Sequence, residues 1–223
     1  MDASNSRVAV VLFGAPGSGK GTQAQALVER FGLLHISTGD MLRRHVEADD
    51  EVGHEVKALM EAGQLVPDEL VNRLVAAELD RPEAVRGVIL DGYPRTLAQA
   101  EMLHHILAER GIPEVIIHLR VDYNEVIARL AARRQCPRCG AVYNLVSNPP
   151  KRSGICDRDG AALLTRPDDR EDVIRNRMEA YELQTRPLLD YLTRTSERFY
   201  EVDTRNRSAE AISKEIAGLV GAR

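Results

Sequence analysis

The sequence has little cysteine, no excess of basic residues and no long apolar run. Its net charge of -4 at pH 7 argues against a protein that mainly binds nucleic acid or an acidic membrane surface. No stretch approaches the ~18 apolar residues that a membrane-spanning helix needs, and residues 1–7 lack the apolar segment of a secretory signal. We therefore expect a cytoplasmic protein without a nucleic-acid or membrane partner.

The three cysteines all lie between positions 136 and 156, and the predicted core segments contain none. This clustering is more typical of a metal site in a reducing compartment than of a disulfide framework. The length of 223 residues suits one domain with insertions or two small domains. A chain of this length buries most of the apolar surface that it exposes when unfolded.

Short apolar segments rich in β-branched residues alternate with segments of helical period. Strand character is found at 8–13, 33–37, 87–91, 114–121 and 199–202. Helices are predicted at 20–31, 68–79, 96–109, 123–133, 169–192 and 208–220, with Asp68, Thr96 and Ser208 as candidate N-caps. This alternation predicts an α/β fold with a parallel sheet flanked by helices.

Two segments interrupt the alternation. Residues 38–66 are charged and helical in pattern, whereas residues 135–166 are rich in Gly, Pro and Cys. Insertions of this length in a compact core are usually lids or binding loops. We expect both to be inserted into one core, which is made of residues 1–37, 67–134 and 167–223.

The segment "GAPGSGKGT" follows the first predicted strand and opens the first helix. In this setting backbone N–H groups and the helix N-terminus bind phosphate, and Lys20 adds a positive charge at the β- and γ-phosphates. Gly21 stands where Ser or Thr usually follows the lysine, so Thr22 is the nearer candidate for a hydroxyl in a metal shell. The predicted triphosphate site comprises Gly14, Ala15, Pro16, Gly17, Ser18, Gly19, Lys20, Gly21 and Thr22.

Asp91 ends the predicted strand at 87–91. In P-loop proteins a carboxylate at such a place holds Mg²⁺, usually through water. A strand-ending Asp is elsewhere as often a turn or cap residue. Beside a P-loop, we expect Mg²⁺ to be bound here together with the triphosphate.

The segments "CPRCG" and "CDRDG" share one pattern: a ligand, any residue, Arg, a second ligand and Gly. The pattern predicts a structural Zn²⁺ site made of Cys136, Cys139, Cys156 and Asp159. Asp157 is a weaker candidate because it lacks the i, i+3 spacing. Three free cysteines in an exposed loop, or a zinc ribbon that binds nucleic acid, are the alternatives, and the single aromatic residue of the ribbon disfavours the second.

Five ordered motifs resemble the adenylate kinase family: "GAPGSGKGTQ", "STGDMLR", "GQLVPDEL", "DGYPRT" with Gln99, and "RPDDREDVIRNRM". The resemblance extends from about residue 8 to the final helix. It implies a monomer that transfers a phosphoryl group from ATP to AMP and releases two ADP. It also implies that residues 38–66 bind AMP and that residues 135–166 form a lid, with an Asp among the lid's zinc ligands in some members.

The resemblance also implies a role for individual residues. The AMP site comprises Thr38, Arg43, Gln64, Leu65, Val66, Gly92, Arg95, Gln99, Arg166 and Arg177. Arg129, Arg133 and Arg205 join the P-loop on the ATP side. The residues expected to act in catalysis are Lys20, Arg95, Arg129, Arg133, Arg166 and Arg177. Asp168 and Asp169 match family acids beside these arginines, although Asp169 is equally well explained as an N-cap.

Another nucleoside monophosphate kinase is the nearest alternative. Thr38 and Gln99 resemble the AMP-selective members, because the UMP/CMP kinases have Ala and Asn at these places and a short lid. GTP in place of ATP as the phosphoryl donor remains open. A loose transition state needs positioning and dispersed positive charge, so the absence of an evident general base is expected.

Overall fold

A computed structural model describes residues 7–221 of the chain. Its central sheet has the strand order β2-β3-β1-β4-β7, and every pair of neighbours in it is parallel. A separate antiparallel pair is formed by β5 and β6. The strands are β1 Ala9–Phe13, β2 Leu34–Ser37, β3 Val88–Asp91, β4 Glu114–Arg120, β5 Arg133–Gln135, β6 Val142–Asn144 and β7 Phe199–Asp203. The predicted α/β fold with a parallel sheet is confirmed.

Helices connect the strands and cover both faces of the sheet. They are α1 Lys20–Phe31, α2 Thr38–Ala48, α3 Glu51–Glu61, α4 Asp68–Leu79, α5 Leu97–Glu109, α6 Tyr123–Ala131, α7 Glu171–Ala180, α8 Leu188–Thr195 and α9 Ala209–Gly221. Short 3₁₀ turns span Pro82–Arg86 and Pro167–Asp169, and a π-helical segment spans Tyr181–Thr185. Within residues 7–221, none of the helices combines the length and the apolar composition that crossing a membrane requires.

The sheet divides the apolar core into two layers. All five residues of β1 are buried, and successive side chains point to opposite faces. Val11 lies in the layer that includes α4, α5 and α8. Val10 and Leu12 lie in the other, with α1 and α9. Burial of β1 on both faces explains its unbroken apolar sequence.

Three expectations about helices are wrong in detail. The helix predicted at 123–133 ends at Ala131, so Arg133 lies in strand β5. The helix predicted at 169–192 is divided, and Pro187, which lacks a backbone N–H, comes directly before the new start at α8. The N-cap of α4 is Pro67 rather than Asp68. Thr96 is confirmed as an N-cap, since its hydroxyl accepts the Gln99 N–H at 3.2 Å.

The two interrupting segments differ in structure. Residues 38–66 contain the helix pair α2 and α3, and residues 135–166 contain β6 and two cysteine turns. Both segments connect to the carboxyl side of the sheet, because α2 begins directly after β2 and β5 follows α6. Clefts at the carboxyl ends of parallel strands are where open α/β sheets bind ligands.

Candidate active site

The P-loop connects β1 to α1 at the middle of the sheet. Gly19, the N-cap of α1, has φ 101°, a left-handed value that favours glycine. Lys20 turns back over the loop and donates hydrogen bonds to Gly14 O at 2.7 Å and to Ala15 O at 2.8 Å. The loop therefore surrounds the ammonium group with its own carbonyl oxygens at the start of a helix. Pro16, Gly17 and Ser18 complete the turn, and Gly21 and Thr22 are exposed in the first turn of α1.

Burial lowers the pKa of Lys20 from 10.5 to about 8, because a buried ammonium loses hydration. The Asp91 carboxylate opposes this shift, whereas the positive charges of Arg95, Arg177 and Arg133 add to it. Cations from several elements therefore act on this one ammonium. A polyanion placed among them would favour its charged form.

Asp91 ends β3 beside the P-loop. Its Oδ2 atom lies close enough to Gly21 that an added Cβ there would be 3.4 Å away. Burial favours the neutral carboxyl, but the neighbouring His35 and the charge of Lys20 hold the pKa of Asp91 below its usual value. An ionised carboxylate next to the P-loop fits Mg²⁺, which prefers oxygen ligands and keeps several waters.

Thr38, Gly92 and Arg95 meet at the ends of β2 and β3. Gly92 O accepts hydrogen bonds from Thr38 Oγ1 at 2.9 Å and from Arg95 Nε at 2.7 Å. A Cβ on Gly92 would come within 2.9 Å of Arg95 Nη2 and 3.1 Å of Thr38 Oγ1. Glycine is thus required for the close approach of the arginine and the hydroxyl. Burial lowers the pKa of Arg95, which marks a guanidinium without full hydration.

Residues 64–66 lead from α3 into α4. Val66 is buried in the core, Leu65 is partly buried and Gln64 is exposed. The preceding Gly63 packs so tightly on α7 that an added Cβ would be 3.0 Å from Arg177 Cγ. Gln99, in the first turn of α5, is buried and contacts the first residue of α4. Residues 64–66 thus lie between Gly63, which packs on Arg177, and Asp68, which accepts a hydrogen bond from Gln99.

Arg129 and Arg205 lie near the loop after β7. Arg129 Nη2 donates to Glu125 Oε1 at 2.5 Å and to Thr204 O at 3.1 Å. Its Nη1 atom is 3.4 Å from Ser18 O in the P-loop. Arg205 is more peripheral, with 45% of its side chain exposed, and pairs with Asp203. Arg129 therefore connects the P-loop to the β7–α9 loop, whereas Arg205 lies at the margin of the site.

Arg133 and Arg177 converge on Asp169. Arg133 donates to both carboxylate oxygens of Asp169, and its Nε to Oδ2 distance is 2.7 Å. Arg177 Nη1 lies 3.2 Å from Asp169 Oδ1 and 3.0 Å from Asp168 Oδ2. Asp169 is not an N-cap, because Arg170 occupies that position for α7. Its carboxylate holds arginines instead.

Arg43 and Arg166 both contact the carboxylate of Asp40. Arg43 Nη2 donates to Asp40 Oδ1 at 2.5 Å, and Arg166 Nη2 lies 3.6 Å from the same oxygen. Arg43 Nη1 also donates to Asp168 Oδ2 at 3.4 Å. Burial opposes ionisation of Asp40, but Arg43 and Arg166 outweigh it and lower the pKa to about 2. Residues 38–66 and the segment after residue 165 are therefore joined by charge.

The cations of the site are more numerous than its acids. Burial, aided by neighbouring guanidinium groups, lowers the pKa of Arg166 and that of Arg177 to about 10. Such shifts indicate that positive charges are crowded together with incomplete compensation. The clustered cations are Lys20, Arg43, Arg95, Arg133, Arg166 and Arg177, and the carboxylates among them are Asp40, Asp91, Asp168 and Asp169. Arg129 and Arg205 each pair with a further acid, Glu125 and Asp203.

The two cysteine turns have the same backbone structure. Gly140 N donates to Cys136 O at 3.1 Å, and Gly160 N donates to Cys156 O at 3.0 Å. Both glycines have φ 72°. The repeat seen in the sequence is therefore a repeat of geometry, with Asp159 at the place that Cys139 has in the first turn. The cysteines form no disulfide.

The ligand atoms of Cys136, Cys139, Cys156 and Asp159 all lie within 4.8 Å of one another. A tetrahedral Zn²⁺ would separate two sulfurs by about 3.7 Å and a sulfur from an oxygen by about 3.5 Å. Cys139 Sγ lies 3.6 Å from Cys156 Sγ, and Cys136 Sγ lies 3.3 Å from Asp159 Oδ2. The four residues fit a metal ion of this kind.

Comparisons with known proteins agree with this geometry. The sequence model of the family described as adenylate kinase matches residues 12–197. The chain belongs to the adenylate kinase family. A protein named adenylate kinase from Bacillus velezensis is 43% identical over 214 residues, which cover 95% of this chain and 97% of the relative. Those of Methanothrix thermoacetophila and Bacillus subtilis are each 47% identical, over 83% and 82% of this chain and 86% and 84% of the relatives.

The predicted family and enzyme class, a phosphotransferase of the nucleoside monophosphate kinases, are confirmed. Besides Asp168 and Asp169, four acidic residues of this adenylate kinase fold accept hydrogen bonds from predicted site residues without having been predicted: Asp40, Asp68, Glu125 and Asp203. Helical spacing could have identified two of them, since Asp40 precedes Arg43 by three residues and Glu125 precedes Arg129 by four. Asp68 has no comparable local signal, because its partner Gln99 is 31 residues away.

Proposed function

We propose that the chain catalyses the reversible, Mg²⁺-dependent transfer of the terminal phosphoryl group of ATP to AMP, which gives two ADP. Family membership supports this proposal. The observation that carries it is that arginines of the two predicted sites share carboxylates. Asp168 Oδ2 lies 3.4 Å from Arg43 Nη1, on the predicted AMP side, and 3.0 Å from Arg177 Nη1, and Arg177 in turn shares Asp169 with Arg133 of the predicted ATP side. Two phosphate-binding clusters next to each other are what direct transfer between two nucleotides requires.

On the acceptor side, we expect Arg43 and Arg95 to bind the phosphate of AMP through their forked donors. One oxygen of that phosphate attacks the γ-phosphorus of ATP. The bond from this phosphorus to the bridging oxygen breaks, and the electron pair leaves on the β-phosphate of the new ADP. No general base is needed, because the second pKa of a phosphate monoester is about 6.

On the donor side, the P-loop N–H groups and Lys20 would hold the β- and γ-phosphates, and Arg129 would orient the donor nucleotide. Arg133, Arg166 and Arg177 would stabilise the charge that develops on the transferred group. Asp91 and the hydroxyl of Thr22 would hold Mg²⁺ through water, and the ion would supply further positive charge at the phosphates.

Residues 38–66 are proposed to be the AMP-binding insertion and residues 135–166 the lid, on a core made of 1–37, 67–134 and 167–223. The ion pair of Asp40 with Arg166 supports contact between the two insertions over the site. Closure would exclude water, which otherwise competes with AMP as the phosphoryl acceptor. The adenylate kinase lid is a known example of such gating.

We also propose that Cys136, Cys139, Cys156 and Asp159 hold a structural Zn²⁺. Four protein ligands make a closed site, so the ion would stabilise the lid and take no part in the chemistry. We further expect a cytoplasmic monomer, since one chain supplies both nucleotide sites and thiolate ligands need a reducing compartment. The molar mass measured by light scattering during gel filtration tests whether the protein is a monomer.

A coupled assay that crosses AMP, CMP, UMP and GMP with ATP and GTP tests the assignment of both substrates. We expect AMP to be preferred as acceptor and ATP as donor. Equal or better turnover with GTP would assign the alternative GTP:AMP activity. Preference for a pyrimidine acceptor would place the chain with the other nucleoside monophosphate kinases.

A further inference from the structure

The side-chain amide of Gln99 is held at both ends. Its Nε2 donates to Asp68 Oδ1 at 2.7 Å, and its Oε1 accepts the backbone N–H of Arg95 at 2.8 Å. Only 2% of Gln99 is exposed. These bonds come from α4 and from the turn before α5, which are separate elements. The amide therefore lies in a fixed position between two rigid partners.

The two partners also fix which end of the amide is which. A carboxylate only accepts hydrogen bonds, and a backbone N–H only donates. Rotation of the amide by 180° would set Oε1 against the Asp68 carboxylate and Nε2 against the Arg95 N–H, so both contacts would become repulsive. Asp68 cannot easily turn away, because its Oδ2 accepts the Thr96 hydroxyl at 2.7 Å.

Each end of the amide keeps one further bonding position. The NH₂ group has two donors and the carbonyl oxygen has two lone pairs, and among the described residues each atom makes one hydrogen bond. The free positions offer one donor and one acceptor in a set order. Adenine presents the matching pair, an N1 acceptor and an N6 donor. In hypoxanthine the 6-carbonyl accepts and N1–H donates, so the order is reversed.

We propose that Asp68 determines the specificity for the acceptor base, as a positioning residue that locks the Gln99 amide in the orientation that accepts adenine and rejects a 6-oxopurine. The inference rests on the proposed function, in which Gln99 lies at the AMP base. The difference in binding free energy between adenine and a 6-oxopurine is then set by a carboxylate that does not itself contact the nucleotide. A site whose polar groups are left unpaired by the wrong ligand rejects that ligand strongly.

The test compares AMP with inosine 5′-monophosphate, which differs at the 6-position and N1. In Asp68→Asn the side-chain amide of Asn can either accept or donate, so this partner no longer opposes rotation of Gln99, and only the Arg95 N–H still favours the original orientation. We expect the ratio of kcat/KM for AMP to that for inosine monophosphate to fall by about tenfold, the equivalent of one ordinary hydrogen bond. Asp68→Ala, which removes the anchor, should shift the ratio in the same direction.

Glu69→Gln is the matched control, because it removes one negative charge from the same turn of α4 at an exposed position. Its ratio should equal that of the wild type. A ratio within about twofold of the wild type in either Asp68 variant would overturn the proposal, as would equal losses for both nucleotides, which indicate a structural effect alone. A wild-type protein that does not use AMP would instead refute the proposed function.

Discussion

Arg133 and Asp169 form a two-point ion pair at the base of the cysteine-bearing segment, in which Arg133 Nε donates to Asp169 Oδ2 at 2.7 Å. The Asp169 side chain is fully buried, and Arg177 also contacts it. This carboxylate thus compensates two arginines that are expected to bind phosphate.

We predict that Asp169→Asn destabilises the protein by about 3 kcal/mol, because removal of one partner leaves buried guanidinium groups without compensation. Thermal and urea unfolding measure this change. Asp172→Asn is the control, since Asp172 is 74% exposed and its contact with Arg170 spans 3.8 Å. An exposed pair contributes roughly 0–1 kcal/mol. Equal losses in the two variants would contradict the compensating role of Asp169.

Binding of ATP should be coupled to proton uptake by Lys20. In the free protein burial lowers the pKa of Lys20 to about 8, so a substantial fraction is neutral at pH 8.5. Bound phosphates favour the charged ammonium and raise its pKa, so binding at pH 8.5 should take up a proton. At pH 6.5 the lysine is already charged before ATP binds, so its contribution to proton uptake should vanish.

Calorimetry in buffers of different ionisation enthalpy measures this uptake. Lys20→Met should remove it at pH 8.5. If the wild type takes up the same number of protons at both pH values, or if the variant retains the uptake, the assignment to Lys20 is wrong.

Arg95→Ala and Arg129→Ala should affect different substrates. Arg95 lies with Thr38 at Gly92, whereas Arg129 lies between the P-loop and Thr204. We expect Arg95→Ala to lower kcat/KM for AMP by about 30-fold or more, the value of a lost charged hydrogen bond, with little change in the affinity for ATP. Arg129→Ala should mainly weaken the binding of ATP. Steady-state kinetics with each substrate varied would show equal losses if the two-site assignment is wrong.

Zinc retention should depend on Asp159 and not on Asp157. Asp159 has a ligand atom within 4.8 Å of the three sulfurs, whereas Asp157 Oδ1 accepts the backbone N–H of Lys151 at 2.9 Å. Elemental analysis should find about one zinc per chain in the wild type and in Asp157→Ala, and much less in Asp159→Ala. Asp159→Cys should retain the ion.

Removal of the metal should lower the thermal midpoint by about 10 °C, and turnover at low temperature should change less. A chelator titration followed by both measurements checks this. Loss of zinc from Asp157→Ala with full occupancy in Asp159→Ala would show that Asp157, and not Asp159, is the fourth ligand. A metal-free wild type would leave three free cysteines as the correct description.

The sequence predicted the parts of the fold that depend on local patterns. Unbroken apolar runs revealed the strands, as in the fully buried β1, and the repeated turns brought Cys136 and Cys156 into equivalent places. Contacts between residues that are far apart in the sequence were harder to predict. Gln99 and Asp68 are 31 residues apart, and Arg133 and Asp169 are 36 apart, so their pairing depends on how the elements pack. Asp169 could equally have been an N-cap until the position of Arg133 was known.

The direct transfer between two nucleotides is tested by ³¹P NMR of the purified protein with Mg²⁺, ATP and AMP. We predict that ATP and AMP disappear in equal amounts, that two ADP form for each pair, and that inorganic phosphate does not accumulate. Lys20→Ala, with its fold confirmed by circular dichroism, should slow the reaction at least about 100-fold, which is ~3 kcal/mol of lost transition-state stabilisation. Folded wild-type protein that forms no ADP, or that releases phosphate from ATP while AMP stays constant, would contradict the account.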